Sequence, residues 1–326
     1  MFYTQIKDIF QSESFADYAR ERTVDLNSLI TTGAMITSPE FNALIKERSN
    51  IVELPFFKDL SGDDEVITDG QALSVDGLES AAQVAVKLQR GKAFGMTDLA
   101  GAGAGVDKEK VIADRLADYW NKKINNIITA ELNGLFANNG ALKDHLIDRS
   151  SEVIDGDMMI DLQGTMGDLY KELTFIIMHS SVYTKLRKLQ LIDNIPDATN
   201  PAGSFEAFQG LRVIVDDACP VNNGVYDTYM FGRGAFAYGA GGPGNYNLPE
   251  YEVVREGLKS QTAVISRRTM IIAPVGFAYN GQNITSKTTP SNSALATASN
   301  WIRAYELKNI PMACLRTRIA SEESES

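Results

Sequence analysis

Between Asp107 and Ala137 the apolar residues Ile112, Leu116, Trp120, Ile124, Ile127, Ile128, Leu132, Leu135 and Phe136 recur in steps of three and four. That spacing puts them on one side of an α-helix and on no single face of a strand. The run holds no proline, Asp107 can cap its start, and Asn138, Asn139 and Gly140 supply a stop. At 1.5 Å per residue the predicted helix is roughly 45 Å long, more than most globular domains need. A rod of that length constrains the rest of the chain, because other elements must be laid along it. Its opposite side carries Lys108, Asp114, Arg115, Asp118, Lys122, Asn125 and Asn126, with Asp118 and Lys122 in the favourable i, i+4 order. That side meets water or a polar partner.

Upstream the pattern differs. Residues 1–37 hold only short apolar clusters, Ile6 with Ile9 and Phe10, then Phe15 with Tyr18. They are too few to fold alone and read as an arm that needs a partner surface. Ser38 followed by Pro39 opens a short helix bearing Phe41, Leu44 and Ile45, expected to end near Asn50. From 51 to 94 the period is two: Val52, Leu54 and Phe56 alternate, then Val84, Val86 and Leu88, with an Asp-, Gly- and Ser-rich stretch between them. This predicts a long, projecting hairpin. Acidic side chains crowd its tip region (Asp59, Asp63, Asp64, Glu65, Asp69, Asp76 and Glu79), and its returning strand carries Lys87, Arg90 and Lys92. An extended hairpin buries too little to stand alone, so it is expected to lie on another surface, such as a second copy of the chain, or else to fold over its own domain as a solvated loop. Lys87, Arg90, Lys92, Asp63, Asp64 and Glu65 are therefore candidate inter-subunit contacts.

Downstream the signals mix. Leu173–Met178 reads as a buried strand, Ser180 or Ser181 as the cap of a helix through Leu186 and Leu189, and Leu211–Val215 as a second strand ending at Asp216 and Asp217. Together they predict an α/β unit over about 146–261. Thr262–Ile272 returns to a strand pattern, Ser291–Ala304 reads as helix, and Lys308–Arg318 reads as a last strand that Pro311 pushes to a sheet edge. Residues 321–326 form an acidic tail. The fold class is α+β.

Chemical motifs are sparse. The net charge of −11 gives no electrostatic footprint for nucleic acid, so any contact with DNA is weak and non-specific. Cys219 and Cys314 match no metal or redox spacing, and no apolar run approaches the length of a membrane span. Gly101, Gly103 and Gly105 precede the long helix, but Val106 stands where a dinucleotide turn needs glycine, and the stretch Gly232–Gly244 lacks the Gly-Lys-Ser/Thr of a phosphate loop. The two histidines, His145 and His179, have no partner at metal-ligand spacing, and there is no Gly-x-Ser-x-Gly. Residues Asp59–Asp69 do not follow calcium-loop spacing, although a surface calcium site there is an alternative to a solvated tip. No catalytic, cofactor-binding or metal-binding residue is assigned. From another functional class, an oxidoreductase using the glycine turns with Asp216 or Asp217 stays as an alternative.

Taken in order, several stretches resemble the major capsid proteins of tailed bacteriophages: Val52–Asp69 (VELPFFKDLSGDDEVITD), Thr97–Ala100 (TDLA), Ala117–Trp120 (ADYW), Ile176–Ser180 (IIMHS), Val213–Asp217 (VIVDD), Phe231–Phe236 (FGRGAF), Arg267–Pro274 (RRTMIIAP), and Asn300 with Trp301. The resemblance implies the capsid shell fold, with an N-terminal arm at 1–37, an extended hairpin loop at 51–95 and an axial domain at 146–261. The peripheral domain would comprise 38–50, 96–145 and 262–320, with its spine helix at 107–137. It also implies a non-enzymatic role: self-assembly into hexamers and pentamers that close an icosahedral head around double-stranded DNA, in the virion, after assembly in the bacterial cytoplasm. Implied partners are other copies of the chain, a portal and, in some members, a decoration protein. Some members carry a cleaved scaffolding segment ahead of the arm. Here the arm starts at Met1, so a separate scaffolding protein is expected. An encapsulin, a nanocompartment shell of the same fold that loads a cargo protein, is the alternative. No crosslinking residues are assigned.

Overall fold

The computed structural model describes residues 29, 33–37, 39–45, 49–57, 66, 80–97, 108–196, 204–241, 250–256, 261–281 and 289–320. Its helices are α1 (Pro39–Ile45), α2 (Lys108–Leu135), α3 (Gly156–Gly164), α4 (Ser180–Lys188) and α5 (Asn292–Leu295). The strands are β1 (Met35–Thr37), β2 (Ile51–Phe57), β3 (Ser80–Thr97), β4 (Leu146–Val153), β5 (Leu173–Met178), β6 (Asp193–Pro196), β7 (Ser204–Phe208) and β8 (Leu211–Val215). They continue as β9 (Val221–Asn222), β10 (Val225–Gly232), β11 (Phe236–Gly241), β12 (Tyr251–Glu256), β13 (Gln261–Pro274), β14 (Phe277–Tyr279), β15 (Trp301–Arg303) and β16 (Met312–Arg318). One sheet runs β1-β11-β13-β3-β2 with β12 also on β13, a second runs β4-β16-β10-β5-β8-β7-β6 with β9 on β10, and β14 pairs with β15.

The predicted rod is α2. Leu116, Trp120, Ile124, Ile127, Ile128, Leu132 and Leu135 are buried, while Arg115, Asp118, Lys122 and Asn126 face outward, as the three-and-four spacing requires. The helix stops where foreseen. The amide of Leu142 donates to the Leu135 carbonyl at 3.0 Å, and Gly140 lies so close to that carbonyl that a Cβ would stand 2.1 Å from its oxygen. The cap at Asp107 falls outside the described residues.

The central strands of the second sheet, β16, β10 and β5, bury both faces, and the strand period of two divides their side chains between them. Phe175, Ile177, Tyr229, Phe231, Met312 and Cys314 join the core cluster that contains α2. Ile176, Met178, Met230, Ala313 and Leu315 pack instead with Met158, Met159 and Leu162 of α3 and Val182 and Leu186 of α4. In the first sheet, Val86 and Leu88 share the core of α2, whereas Ala85 and Ile271 pack with Ile45 of α1. The two sheets are joined at Phe231–Phe236, where the chain leaves β10 and enters β11. Gly232 allows this: a Cβ there would stand 2.6 Å from both the Glu172 carbonyl oxygen and Pro311 Cβ, and its own amide donates to the Pro311 carbonyl at 2.8 Å. Gly234 turns with φ of +69°, a conformation that side chains disfavour.

Several expectations change. The hairpin exists, with Ile51 opposite Val86 and Phe57 opposite Ser80, but β3 runs on to pair with β13 from Lys87 opposite Ile271 to Thr97 opposite Gln261. Its basic half is therefore a strand of the subunit's own sheet. At the end of the arm, β1 pairs in parallel with β11 and Leu29 is buried, so that part lies on its own chain. The cap of α4 is His179, whose Nδ1 accepts from the Ser181 amide at 3.1 Å; Ser180 and Ser181 lie inside the helix. Ser291 does cap a helix, but α5 has four residues, and the chain turns into β15 because Trp301 donates its indole N–H to the Leu295 carbonyl at 2.7 Å and pairs with Tyr279. β16 is interior, between β10 and β4; Pro311 lies just before it, so its missing N–H costs no ladder bond. A division at residue 261 does not follow the sheets: β16 joins the second sheet, while β11 and β12 join the first.

Candidate functional site

Strand alternation decides where the candidate basic residues point. Lys87 shares a face with Ala85 and turns toward α1, where it is 1% exposed and donates from Nζ to the Ile45 carbonyl at 3.2 Å. A cation at the last carbonyl of a helix is favourable for the helix dipole, so this lysine is an internal cap and not a surface contact. Arg90 lies on the other face. Its guanidinium donates to the Pro290 carbonyl at 2.6 Å, Thr289 Oγ1 at 3.3 Å and Asn292 Oδ1 at 3.3 Å, holding the segment before α5. Lys92 is exposed. Asp63, Asp64 and Glu65 lie outside the described residues. The three basic side chains thus form no common patch, and Lys92 alone of them is fully presented.

A buried polar group lies where α2 crosses the first sheet. The Trp120 indole N–H donates to Ser266 Oγ at 2.8 Å, and the Arg268 guanidinium stands 5.4 Å from the Trp120 ring centre. Arg268 also donates to the Tyr251 hydroxyl at 3.2 Å and lies 3.7 Å from the buried Glu250 carboxylate. Trp120 and Arg268 fall in two of the stretches that carried the family resemblance, ADYW and RRTMIIAP, but nothing in their spacing showed that they meet. A second tie fixes α2 to the other sheet: Asn125 donates to Asp216 Oδ2 at 2.9 Å and Thr129 to the Ala218 carbonyl at 3.2 Å. Asp217 accepts from the Ser180 amide at 3.1 Å. Asp216 and Asp217 are thus engaged in holding α2 and the start of α4.

Reactive chemistry finds little support in the interior. Cys219 and Cys314 are both buried, and burial drives both thiols up in pKa, away from the thiolate that a nucleophile requires. His145 is buried, holds Nδ1 at 2.9 Å from the Met312 carbonyl, and is pushed down by burial toward its neutral form. Asp227 is raised by burial although Arg316 stands 3.0 Å away; Arg316 also donates to the Phe136 carbonyl at 2.9 Å, tying β16 to the end of α2. Among the described residues no group of three or more His, Cys, Asp or Glu comes together as a metal site, and no helix is long and apolar enough to cross a membrane. Gly101, Gly103 and Gly105 lie outside the described residues, and Gly232 and Gly234 serve the crossing between sheets.

No family model matches the chain. The major capsid protein of Bacillus phage SPP1 is 32% identical over 329 aligned positions, which span 98% of this chain and 99% of that protein. Among solved structures, the capsid of Ralstonia phage GP4 gives a TM-score of 0.56 at 11% identity, covering 89% of this chain and 88% of that one. A structure from Mycobacterium phage Adephagia gives 0.55 at 10% identity, covering 90% and 91%. At such low identities the structural likeness establishes the fold, and the relation to the SPP1 protein establishes the family.

Proposed function

The chain belongs to the major capsid proteins of tailed bacteriophages, and from that membership we propose that it forms hexamers and pentamers that close an icosahedral head around double-stranded DNA. It is a structural shell protein that associates with copies of itself and resides in the virion capsid. The single observation that carries this reading is the nearly end-to-end relation to a phage major capsid protein, which also favours a phage head over a nanocompartment. The charge agrees with it. A −11 subunit confines packaged DNA without gripping it, as genome entry and ejection both require.

The finer roles belong to the same proposal. The hairpin formed by β2 and the first half of β3 reaches over a neighbouring subunit, with the acidic Asp63, Asp64 and Glu65 as contacts across that boundary, while the exposed Lys92 meets a neighbour from the subunit's own sheet. α2 with the first sheet forms the periphery of the capsomer, and the second sheet its axial part. Assembly takes place in the host cytoplasm with a separate scaffolding protein and a portal. Negative-stain electron microscopy of the high-molecular-weight fraction, with and without co-expressed scaffolding protein, tests this. Closed shells, or sheets and tubes of hexamers, are expected with the scaffold; uniform small oligomers under both conditions refute the proposal. Uniform closed shells from the chain alone would remove the scaffolding protein from it.

A further inference from the structure

β3 outruns its cover on one side. In an antiparallel ladder both backbone groups of a residue point to the same side, and successive residues alternate. The Lys87 amide donates to the Asn50 carbonyl at 2.9 Å, while the amide and the carbonyl of Gln89 both use Thr289 Oγ1, at 3.3 and 3.4 Å. Both residues therefore point away from β13, toward the side held by β2 and by Thr289. The ladder with β13 runs to Thr97 without a shift of register, so Gly91, Ala93 and Gly95 aim their amides and carbonyls to that same side. No described residue pairs with them there, and residues 91–95 are exposed throughout.

Such an edge is a row of unmet donors and acceptors with strand geometry, and folded proteins commonly blunt it with proline, a bulge or a covering segment. β2, the outermost strand at the hairpin, carries Pro55. The open run of β3 has neither proline nor bulge. Another strand would complete it, and for a chain that associates with copies of itself the source of that strand is a second copy.

The run is also self-complementary. Laid antiparallel on itself about Ala93, it sets Gly91 against Gly95, Ala93 against Ala93 and Gly95 against Gly91, so each open amide meets a carbonyl. The same register sets Lys92 opposite Phe94. Both lie on the side of the sheet that faces α2: Lys92 is level with Ser266, which holds Trp120, and Phe94 meets Tyr119 edge-on at 5.3 Å. Phe94 is 39% exposed, and the Tyr119 ring already has Lys123 at 5.3 Å, so the incoming ammonium belongs over Phe94. A pairing centred on Lys92 would oppose two lysines, and one centred on Phe94 would leave each lysine opposite Met96.

We propose that β3 of one subunit pairs with β3 of another across a two-fold axis between their Ala93 residues, joining two first sheets into one. This rests on the reading of the chain as a self-assembling shell protein. A two-fold contact joins subunits in pairs and does not repeat around a ring, so it belongs between neighbouring hexamers and pentamers.

A single thiol tests it, because Cys219 and Cys314 are buried and the parent should not crosslink. The two Ala93 Cα atoms would stand about 5.5 Å apart, within disulfide reach. Shells of Ala93→Cys assembled with scaffolding protein under reducing conditions, then oxidised with copper phenanthroline, should yield disulfide-linked dimers on a non-reducing gel. Dilute unassembled subunits should not. Phe94→Cys should give none, since its Cα atoms would be about 8 Å apart. Ala93→Pro removes the central amide, which no ladder within the subunit uses. It should unfold at the parental temperature and still form capsomers, but the yield of closed shells should fall several-fold. Should Ala93→Pro unfold earlier, Ala93→Cys, which alters one exposed methyl group, decides alone. Absence of dimers from Ala93→Cys shells, dimers from Phe94→Cys in their place, or parental shell yield from a stable Ala93→Pro overturns the proposal. Failure of the parent to make shells refutes the shell reading instead, and the crosslink is then read on concentrated subunits.

Discussion

Glu131 lies in α2 one turn from Ile127 and Leu135, fully buried, with neither carboxyl oxygen hydrogen-bonded among the described residues. Burial raises its pKa well above 4.5, so it is neutral in the folded subunit at pH values where the unfolded chain ionises it. The folded state therefore binds one more proton than the unfolded state above about pH 4.5, and stability is lost as pH rises until the folded pKa is passed. The slope for one such proton is about 1.4 kcal/mol per pH unit, hence up to ~2.7 kcal/mol between pH 6 and pH 8. Glu131→Gln keeps the shape and cannot ionise, so it removes this contribution. Urea unfolding of unassembled subunits at pH 6, 7 and 8 should show the parent losing stability relative to the variant as pH rises, by at most that slope. Glu131→Met, which also removes the orphaned polar atoms, should exceed the parent by about 1–3 kcal/mol at pH 7. Parallel pH profiles for parent and Glu131→Gln would refute the reasoning.

Lys87→Glu should destabilise the subunit by roughly 3 kcal/mol or more, because it sets a buried carboxylate against the Ile45 carbonyl, whereas Lys92→Glu should leave the urea midpoint unchanged and weaken assembly. Gly134→Ala tests two opposed effects. Alanine gains up to ~1 kcal/mol of helix propensity, but its Cβ would stand 2.5 Å from the Leu295 carbonyl oxygen and 2.9 Å from Trp301 Nε1, so a net loss of about 1–2 kcal/mol is expected in thermal unfolding. Trp120→Phe keeps a ring in the core but strands Ser266 Oγ and weakens the contact with Arg268; a loss of about 1–3 kcal/mol in urea unfolding is expected.

The rod was legible because its periodicity runs unbroken, and β5 and β8 because short, nearly continuous apolar runs suit buried parallel strands. Other elements were set by contacts that no local pattern records. Lys87 falls at a polar position of the β3 alternation, as a solvent-facing residue would, and only the end of α1, forty-two residues earlier, shows that this face is buried too. Trp301 ends a helix-like stretch by pairing with Tyr279, and the Ser- and Asn-rich residues before it already compete for backbone partners. Among the candidate contacts, charge alone did not separate an internal cap, Lys87, from a segment anchor, Arg90, or an exposed side chain, Lys92.

The long ladder between β3 and β13 has a mechanical consequence. Its eleven antiparallel pairs, from Lys87 with Ile271 to Thr97 with Gln261, lie along one line. A pull along that line loads them in shear, so many hydrogen bonds must fail together before the strands slip. A pull across it peels them apart one pair at a time. In single-molecule pulling, a subunit loaded so that β3 and β13 slide past one another should withstand a higher force than one loaded so that they peel apart.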